Sequence, residues 1–184
     1  GVKVVMPSNA YDAKGLIISA ARDDNPVFVV LNKASLAMTT DVPEEMYEVP
    51  IGKAEVVRQG TDFTVLAMGR MVVEALAAAK TLEADGLSVE VIDIRSGQPF
   101  DTETAVASLK KTHRALVVHE AVRFGGFGGE IVAQLQEEAF DYLDAPIGRV
   151  GAPFSPVPFS PALEKVYVPN AEKIVGEVKK LLGM

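Results

Sequence analysis

Two neighbouring residues, His119 and Glu120, stand where a ligand-binding edge is expected, because they end the apolar run 114–119 (RALVVH) that predicts a strand. In open α/β sheets, ligands bind at the carboxyl ends of the strands, and histidine is the usual general acid or base near neutral pH. Adjacent strand residues point to opposite faces, so the two side chains do not form one catalytic unit. A structural hydrogen bond explains His119 at least as well. The other histidine, His113, lies in a polar turn and is predicted to be solvated.

A glycine cluster at 125–129 (GGFGG) follows this strand and precedes a predicted helix. Free N–H groups at a helix N-terminus can bind an anion. The dinucleotide-binding pattern G-x-G-x-x-G is not met, however, because Ile131 stands where the third glycine is required, and no phosphate-binding P-loop pattern occurs. We therefore favour a tight turn in which glycine lets backbone or a neighbouring subunit approach closely.

Asp93 and Arg95 share one strand face by their period of two, which favours an ion pair between them. Further along, an acidic run coincides with a predicted helix: Glu137, Glu138, Asp141 and Asp144. Like charges at helical spacing repel slightly, so this run indicates a solvated face or a surface for a basic partner. Nowhere does the sequence pair a nucleophile with a base, or gather the ligands of a metal site.

The composition excludes several function classes. The 184 residues carry a net charge of −7, and the pI near 4.9 argues against binding to nucleic acid or to an anionic membrane. No apolar run approaches the roughly 18–20 residues of a membrane span. The absence of cysteine excludes disulfides and thiol chemistry and fits a cytoplasmic protein. With two histidines, a multi-histidine metal site is disfavoured.

The elements that must position these residues alternate along the chain. A strand at 2–6, a helix at 10–22 and a strand at 27–31 predict one βαβ unit, and a loop follows at 33–48. The pattern then restarts, with predicted strands at 51–58, 63–68, 87–94, 114–119 and 147–151 and predicted helices at 72–84, 102–111, 130–142 and 171–182. This alternation predicts an α/β fold with a mostly parallel sheet and helices on both faces. The chain starts abruptly on a strand without methionine, which we interpret as part of a longer chain.

Several stretches, taken in order, carry a family resemblance: GVKVVMPSNAYDAKGLI, ARDDNPVFVV, VEVIDIRSGQPFD, VVHEAVRFGGFGGEI and PFSPALEKVYVPNAEKIV. Together they closely resemble the β subunit of the thiamine-diphosphate-dependent first component of 2-oxo acid dehydrogenase complexes. That group includes the pyruvate, branched-chain 2-oxo acid and acetoin dehydrogenases. The resemblance covers essentially all 184 residues.

This resemblance implies two domains: residues 1–48 match the end of a pyrimidine-binding domain with its linker, and residues 49–184 match a transketolase-like C-terminal domain. The family's cofactor-activating glutamate and catalytic histidine lie upstream of Gly1, and its α subunit holds the diphosphate and magnesium. The chain alone is therefore expected to be inactive and to contribute no catalytic or cofactor-binding residue. It supplies scaffold, subunit contacts and part of the site wall, for which His119 and Glu120 are the candidates.

The resemblance also implies an ion site and partners. Ala20, Asp23 and Asn25 match part of a potassium site in some relatives. The expected partners are the α subunit, a second β subunit and the dihydrolipoyl acyltransferase, whose small basic domain would meet the acidic run 137–144. Thiamine diphosphate and magnesium are expected in the complete heteromeric enzyme.

Two other hypotheses stay open: the C-terminal region of another transketolase-type enzyme, and a stand-alone interaction module. An incomplete first domain leaves the unit 2–31 with an uncovered apolar face, which a stand-alone module would cover. The exposure of that face therefore distinguishes the hypotheses.

Overall fold

The structure, a computed structural model, describes all 184 residues and contains two sheets. Five strands form the larger sheet in the order β3-β5-β4-β7-β8, and three form the smaller in the order β2-β1-β6. The strands are β1 (Lys3–Val5), β2 (Val27–Val29), β3 (Glu55–Arg58), β4 (Phe63–Ala67), β5 (Val89–Asp93), β6 (Ser96–Gln98), β7 (Ala115–Val122) and β8 (Gly148–Ala152). The helices are α1 (Ala10–Arg22), α2 (Met71–Ala84), α3 (Thr102–Thr112), α4 (Gly128–Ala139), α5 (Pro161–Tyr167) and α6 (Ala171–Leu182), with 3-10 turns at Lys33–Ala37 and Phe140–Tyr142.

Two neighbouring strands of the larger sheet, β4 and β5, are buried along their whole length, as expected for apolar strands covered on both faces. The pairs β4–β5, β4–β7 and β7–β8 are parallel, and only the edge strand β3 runs antiparallel. Helices α2 and α6 pack on one face, and α3 and α4 on the other, each pair with its own hydrophobic core. The predicted α/β class with helices on both faces is confirmed.

Side-chain caps fix where three helices begin. The side chains of Asn9, Asp101 and Asn170 each accept a hydrogen bond from the backbone N–H three residues further on. Gly183, at φ +76°, ends α6 in the left-handed conformation that glycine adopts without strain. These local signals explain why α1 and α6 have the bounds that the sequence predicts.

The smaller sheet joins the two halves of the chain. Strand β1 pairs in parallel with β2 and antiparallel with β6, so a strand from the second half completes the sheet of the first. The N–H of Met6 also donates to the carbonyl of Arg95 at 2.7 Å. The sequence predicts no strand at β6, because Ser-Gly-Gln has no β-branched or aromatic residue and its pairing is with a distant segment. The division of the chain into two domains after residue 48 stays a prediction.

The first half leaves an apolar surface uncovered. The continuous apolar run 27–31 (VFVVL) is typical of a strand buried on both faces, and this prediction is wrong. Phe28 is 64% exposed, because no other layer of the chain covers its side of the three-stranded sheet. Other exposed apolar side chains of this half belong to Ile17, Val30, Leu31, Leu36 and Met38. The apolar face that the sequence predicts to be uncovered in the unit 2–31 is thus exposed, and the assignment of this unit to an incomplete domain stays a prediction.

Two helical predictions need correction. Helix α5 lies between the strand predicted at 147–151 and the helix predicted at 171–182, where the four prolines of the stretch (Pro153, Pro156, Pro158 and Pro161) favour a loop over a helix. Pro161 occupies its first position, where the missing N–H has no intrahelical partner to lose. The helix predicted over 130–142 begins earlier, at Gly128, and ends at Ala139 before a 3-10 turn. None of the helices combines the length and the apolar character required to cross a membrane.

Candidate functional site

A cavity of about 300 Å³ lies where the smaller sheet meets the carboxyl ends of β4 and β7. Its apolar lining comes from both halves of the chain and includes Val4, Met6, Met68 and Phe127, and His119 adds an imidazole. The location agrees with the strand-end edge at which α/β sheets bind ligands.

His119 is held in this wall as a buried, neutral imidazole. The residue is 7% exposed, and neither ring nitrogen makes a hydrogen bond of normal geometry. Burial lowers the pKa of His119; the backbone of Ala121 acts in the opposite direction, and the charge of Arg149 lowers it further. No structural hydrogen bond of normal geometry therefore holds the His119 ring.

The glycine cluster makes room for this imidazole. A Cβ atom on Gly126 would lie 2.6 Å from Cε1 of His119, and one on Gly128 would lie 2.6 Å from Nε2. On the opposite strand, a Cβ on Gly151 would lie 3.0 Å from Cε1. We call these three residues the glycine cradle. The predicted close approach of backbone is confirmed at Gly126, whose Cβ would overlap the carbonyl oxygen of Val122. The ring of His119 is a second approaching group, which the sequence does not predict.

We expect Gly128→Ala to lower the free energy of unfolding by about 2 kcal/mol, because the new methyl group overlaps the His119 ring in a packed interior. In the His119→Ala background, the same substitution is expected to cost less than about 0.5 kcal/mol, since the ring is gone. Urea unfolding of the four proteins measures the coupling. Gly176→Ala is the control, because nothing lies near that Cβ. An equal cost of Gly128→Ala in both backgrounds would refute the cradle.

Glu120, unlike His119, makes a side-chain hydrogen bond to the first half of the chain. Its carboxylate accepts a hydrogen bond of 2.6 Å from the side-chain amide of Asn32, which belongs to the first half of the chain. Both His119 and Glu120 border the cavity, but only His119 is buried. Their assignment to the site wall of the complete enzyme stays a prediction. His113 is exposed, as predicted, with Nδ1 2.9 Å from the carbonyl oxygen of Tyr142.

The predicted ion pair between Asp93 and Arg95 is wrong. Arg95 has φ +56°, so the chain turns after β5 and the strand alternation ends at Asp93. Its guanidinium instead pairs with Asp12 at 2.6 Å and with Glu55. The carboxylate of Asp93 accepts hydrogen bonds from the hydroxyl of Ser8 and, at 2.9 Å, from the N–H of Arg95.

Asp93 is a fully buried carboxylate at the junction of the two halves. Burial raises its pKa to about 6, although its hydrogen bonds from Ser8 and Arg95 act in the opposite direction. Arg95 thus pairs with two carboxylates, those of Asp12 and Glu55, and forms no ion pair with Asp93, whose charged form is disfavoured by burial.

The residues matched to a potassium site are already engaged with one another. The carboxylate of Asp23 forms an ion pair with Lys3, which lowers the pKa of Asp23. It also accepts the N–H of Asn25 at 2.9 Å, and the carbonyl of Ala20 accepts the N–H of Asp23 at 3.4 Å. In this arrangement the three residues do not fit a cation, since the ammonium of Lys3 holds the charged ligand. The chain has no cluster of three or more His, Asp or Glu side chains that could hold a metal ion.

The acidic run lies at the end of α4 and beyond it. Its four members are all exposed and form no salt bridge: Glu137, Glu138, Asp141 and Asp144. Negative charge at a helix C-terminus is unfavourable to the helix dipole, so helix stability does not account for the run. These carboxylates are available to a basic partner.

A family model described as "Transketolase, C-terminal domain" matches residues 52–174. The chain belongs to the transketolase C-terminal domain family. The match spans the larger sheet and helices α2 to α5, ends in the first turn of α6, and begins after the segment that contributes β1 and β2.

Two curated relatives match nearly the whole chain, including the part outside the family model. The acetoin:2,6-dichlorophenolindophenol oxidoreductase subunit beta of Bacillus subtilis (strain 168) is 45% identical over 183 residues, which are 100% of this chain and 54% of the relative. The pyruvate dehydrogenase E1 component subunit beta of Staphylococcus aureus (strain Mu50 / ATCC 700699) is 48% identical over 183 residues, or 99% of this chain and 56% of the relative. The chain spans about half the length of these curated relatives.

A solved structure titled "Split gene transketolase, inactive beta4 tetramer" superposes with a TM-score of 0.84 at 30% sequence identity. It covers 99% of this chain, and this chain covers 57% of it. The likeness therefore extends beyond the transketolase C-terminal domain to the smaller sheet.

Sequence reasoning missed how Asp12, Asp93 and Arg95 meet at the boundary of this transketolase C-terminal domain. One signal was present: Asp93 stands inside the apolar run VIDI of a predicted buried strand. A buried carboxylate requires hydrogen bonds or a counter-ion, so a partner could have been sought. The identity of that partner depends on the turn at Arg95 and on α1, which no local pattern specifies.

Proposed function

We propose that the chain is the β-subunit portion of a thiamine-diphosphate-dependent 2-oxo acid or acetoin dehydrogenase first component. That enzyme cleaves a C–C bond oxidatively and passes the acyl group to a lipoyl group. The supporting observation is the likeness to two such β subunits, at 45% and 48% identity, along the full length of this chain. The chain would contribute scaffold, subunit contacts and an acyltransferase contact.

The residues of this chain do not fit a site for the cofactor's diphosphate and magnesium. No carboxylate cluster is arranged as a metal site, and the histidine at the sheet edge is buried, neutral and without a hydrogen-bond partner. In the complete enzyme, thiamine diphosphate supplies the electron sink for C–C cleavage. We assign its binding to other parts of the assembly, so this chain alone is expected to be inactive.

The chain's exposed apolar surfaces support obligate partners. The uncovered face of the first half is one of them. A second lies in the segment before and within α5, with Phe124 beside it, and exposes Phe154, Val157, Phe159, Leu163 and Val166. Phe159 is fully exposed, and the rings of Phe124 and Phe154 are in contact, with centroids 4.8 Å apart and planes tilted by 50°. Patches of this kind mark protein interfaces, which fits an α subunit and a second β subunit better than a stand-alone module.

A hybrid subunit tests the proposal. The 183 matching residues of the Staphylococcus aureus β subunit are replaced by this chain, and the hybrid is purified with that enzyme's α subunit. We expect an assembled protein that oxidises pyruvate, a branched-chain 2-oxo acid or acetoin only when thiamine diphosphate is added. The chain alone should show no activity.

The alternative is another transketolase-type enzyme, favoured by the 30% identity and TM-score of 0.84 to a split-gene transketolase. A second hybrid places this chain in the corresponding part of the split-gene transketolase. The dehydrogenase proposal is overturned in favour of this alternative if the first hybrid assembles but is inactive with all three substrates, and the second restores ketol transfer between sugar phosphates.

Neutralising the acidic run should weaken docking of the acyltransferase. We expect the fourfold variant Glu137→Gln, Glu138→Gln, Asp141→Asn and Asp144→Asn to slow association with the basic domain about tenfold at low salt, because charges near an interface steer encounter. Surface plasmon resonance at two salt concentrations measures the rate. The matched control neutralises four exposed carboxylates elsewhere: Asp24, Asp41, Glu44 and Glu45. An equal effect in the control would place the docking site outside the run.

A further inference from the structure

The stretch between β8 and α5 contains a short tandem repeat. Residues 152–156 (APFSP) and 157–161 (VPFSP) differ only in their first residue, and we call residues 152–161 the proline-rich segment. We propose that this segment is a preformed polyproline II (PPII) ligand that docks into a groove lined by aromatic side chains on the α subunit. The identity of the partner rests on the dehydrogenase proposal, whereas the mode of binding rests on the residues of this chain.

The proline-rich segment exposes apolar side chains on a surface without charge. No charged residue occurs between Arg149 and Glu164, although charged residues make up 23% of the whole chain. Phe154, Val157 and Phe159 are 75%, 72% and 100% exposed. Exposed apolar side chains gathered in one place mark an interface. The surface that covers them must itself be uncharged, because a charged group buried there would gain no counter-ion.

Proline and local hydrogen bonds fix the conformation of the segment before any partner binds. Its four prolines hold their own φ at about −65°, and each disfavours helical geometry in the residue before it. Ser160, which precedes Pro161, has φ −69° and ψ 128°, close to PPII geometry. The hydroxyl of Tyr167 donates to the carbonyl of Ser155 at 3.2 Å, and the carbonyl of Ser160 accepts the N–H of Glu164 at 2.8 Å. Docking therefore costs little conformational entropy.

The same prolines exclude addition of the segment as a strand to a partner's sheet. Strand addition requires backbone N–H donors at every second residue along one edge. Pro156 and Pro158 remove two successive donors from one edge. On the other edge, Pro153 and Pro161 have no N–H, and that of Ser155 already donates to the carbonyl of Pro153 at 2.9 Å. PPII recognition has no such requirement, because the groove contacts the ligand through aromatic side chains.

A second copy of this chain offers no matching groove. Two tyrosines of the first half, Tyr11 and Tyr47, stack with centroids 4.4 Å apart and planes inclined by 17°, so no proline ring fits between them. The cavity beside His119 has one aromatic side chain in its apolar lining, that of Phe127, whereas PPII grooves are lined by several aromatic residues. The groove is therefore expected on another polypeptide, and the α subunit is the partner that the proposed function supplies.

The hybrid β subunit, paired with the Staphylococcus aureus α subunit, tests this docking mode by sedimentation velocity. Phe159→Ser is expected to raise the protein concentration at which half of the complex is assembled at least tenfold, because buried aromatic anchors dominate interfaces. The double variant Pro156→Ala and Pro158→Ala keeps both phenylalanines but frees the backbone, and should raise it about threefold to tenfold. Phe140→Ser is the matched control with an expected change below about twofold, since Phe140 is also exposed but follows α4 at the other edge of the larger sheet.

The outcomes separate the docking proposal from the dehydrogenase proposal. If the parent hybrid assembles and is active, and Phe159→Ser assembles equally well, the docking proposal alone is overturned. A loss in Phe159→Ser without a loss in the double proline variant overturns the PPII mode. A parent hybrid that does not assemble with the α subunit overturns both proposals. If the 184-residue chain alone dimerises and Phe159→Ser abolishes the dimer, the segment binds a second copy and its assignment to the α subunit is overturned. Circular dichroism confirms that each variant is folded.

Discussion

Replacing Arg95 by methionine is expected to lower the free energy of unfolding by about 3–5 kcal/mol, the cost of leaving a buried charge without its partner. The side chain of Asp12 is fully buried, and that of Arg95 is 12% exposed. Asp12 keeps one hydrogen bond, from the amide of Asn9 at 2.8 Å, which does not neutralise its charge. Glu55 is half exposed and adds little, because solvent screens it.

Urea unfolding of the 184-residue chain measures this loss. Arg22→Met is the matched control: Arg22 also belongs to the first half and pairs with Glu48, but both side chains are about half exposed, so a change below about 1 kcal/mol is expected. Adding Asp12→Asn to Arg95→Met removes the orphaned charge and should restore part of the stability. If Arg95→Met costs no more than Arg22→Met, the buried pair does not hold the two halves together.

The second large effect is a dependence of stability on pH that comes from Asp93. Its folded pKa of about 6 exceeds the ordinary pKa of 3.8 for an aspartate in an unfolded chain. Between these values the folded protein retains a proton that the unfolded chain has released, so Asp93 contributes greater stability as the pH falls from 7 to about 4. The two pKa values correspond to a gain of about 3 kcal/mol.

Other groups titrate in or near this range, so the measurement compares two proteins. The lowered pKa of His119 acts oppositely, because the unfolded chain then takes up the extra proton below pH 6.5. The lowered pKa of Asp23 and of Asp101 removes stability only as the pH falls through about 4 and below. The difference between wild type and Asp93→Asn cancels these contributions.

Asp93→Asn keeps the shape of the site and removes its charge. The amide oxygen can accept the N–H of Arg95, and the amide nitrogen can donate to Ser8. We expect the variant to be more stable than wild type at pH 7 by up to about 3 kcal/mol and to lose this advantage by pH 4. Thermal unfolding at several pH values tests the difference. Asp24→Asn, at an exposed aspartate, should show none. A constant difference across the range for Asp93→Asn would contradict the assignment.

The elements of the larger sheet could be predicted from the sequence because their signals are local. The apolar runs of β4, β5 and β7 and the caps at Asn9 and Asp101 each act within a few residues. The site could be predicted only in part. His119 and the neighbouring glycines were recognised as candidates, but the third member of the cradle, Gly151, comes from another strand.

What could not be predicted depends on contacts between distant segments. Arg95 and Asp12 are 83 positions apart in the sequence. The left-handed conformation of Arg95 cannot be predicted from its residue type either, because arginine seldom adopts it. The strand β6 likewise exists because β1 is present to pair with it. Propensity describes single segments, whereas these features follow from the way segments meet.

The pairing of β6 with β1 has a consequence for how this protein can be rearranged in evolution. The linker at 33–48 looks like a natural place for gene fusion, fission or exchange between relatives. A fusion point there separates β1 from β6, however. A second half taken from a relative must then supply a strand that pairs with β1, or β1 is left with unpaired backbone N–H and C=O groups. The unit that evolution can exchange as one piece therefore includes both sides of the linker. We expect correlated substitutions between the two halves at the residues that pair in the smaller sheet: Val4, Val5, Ser96 and Gln98.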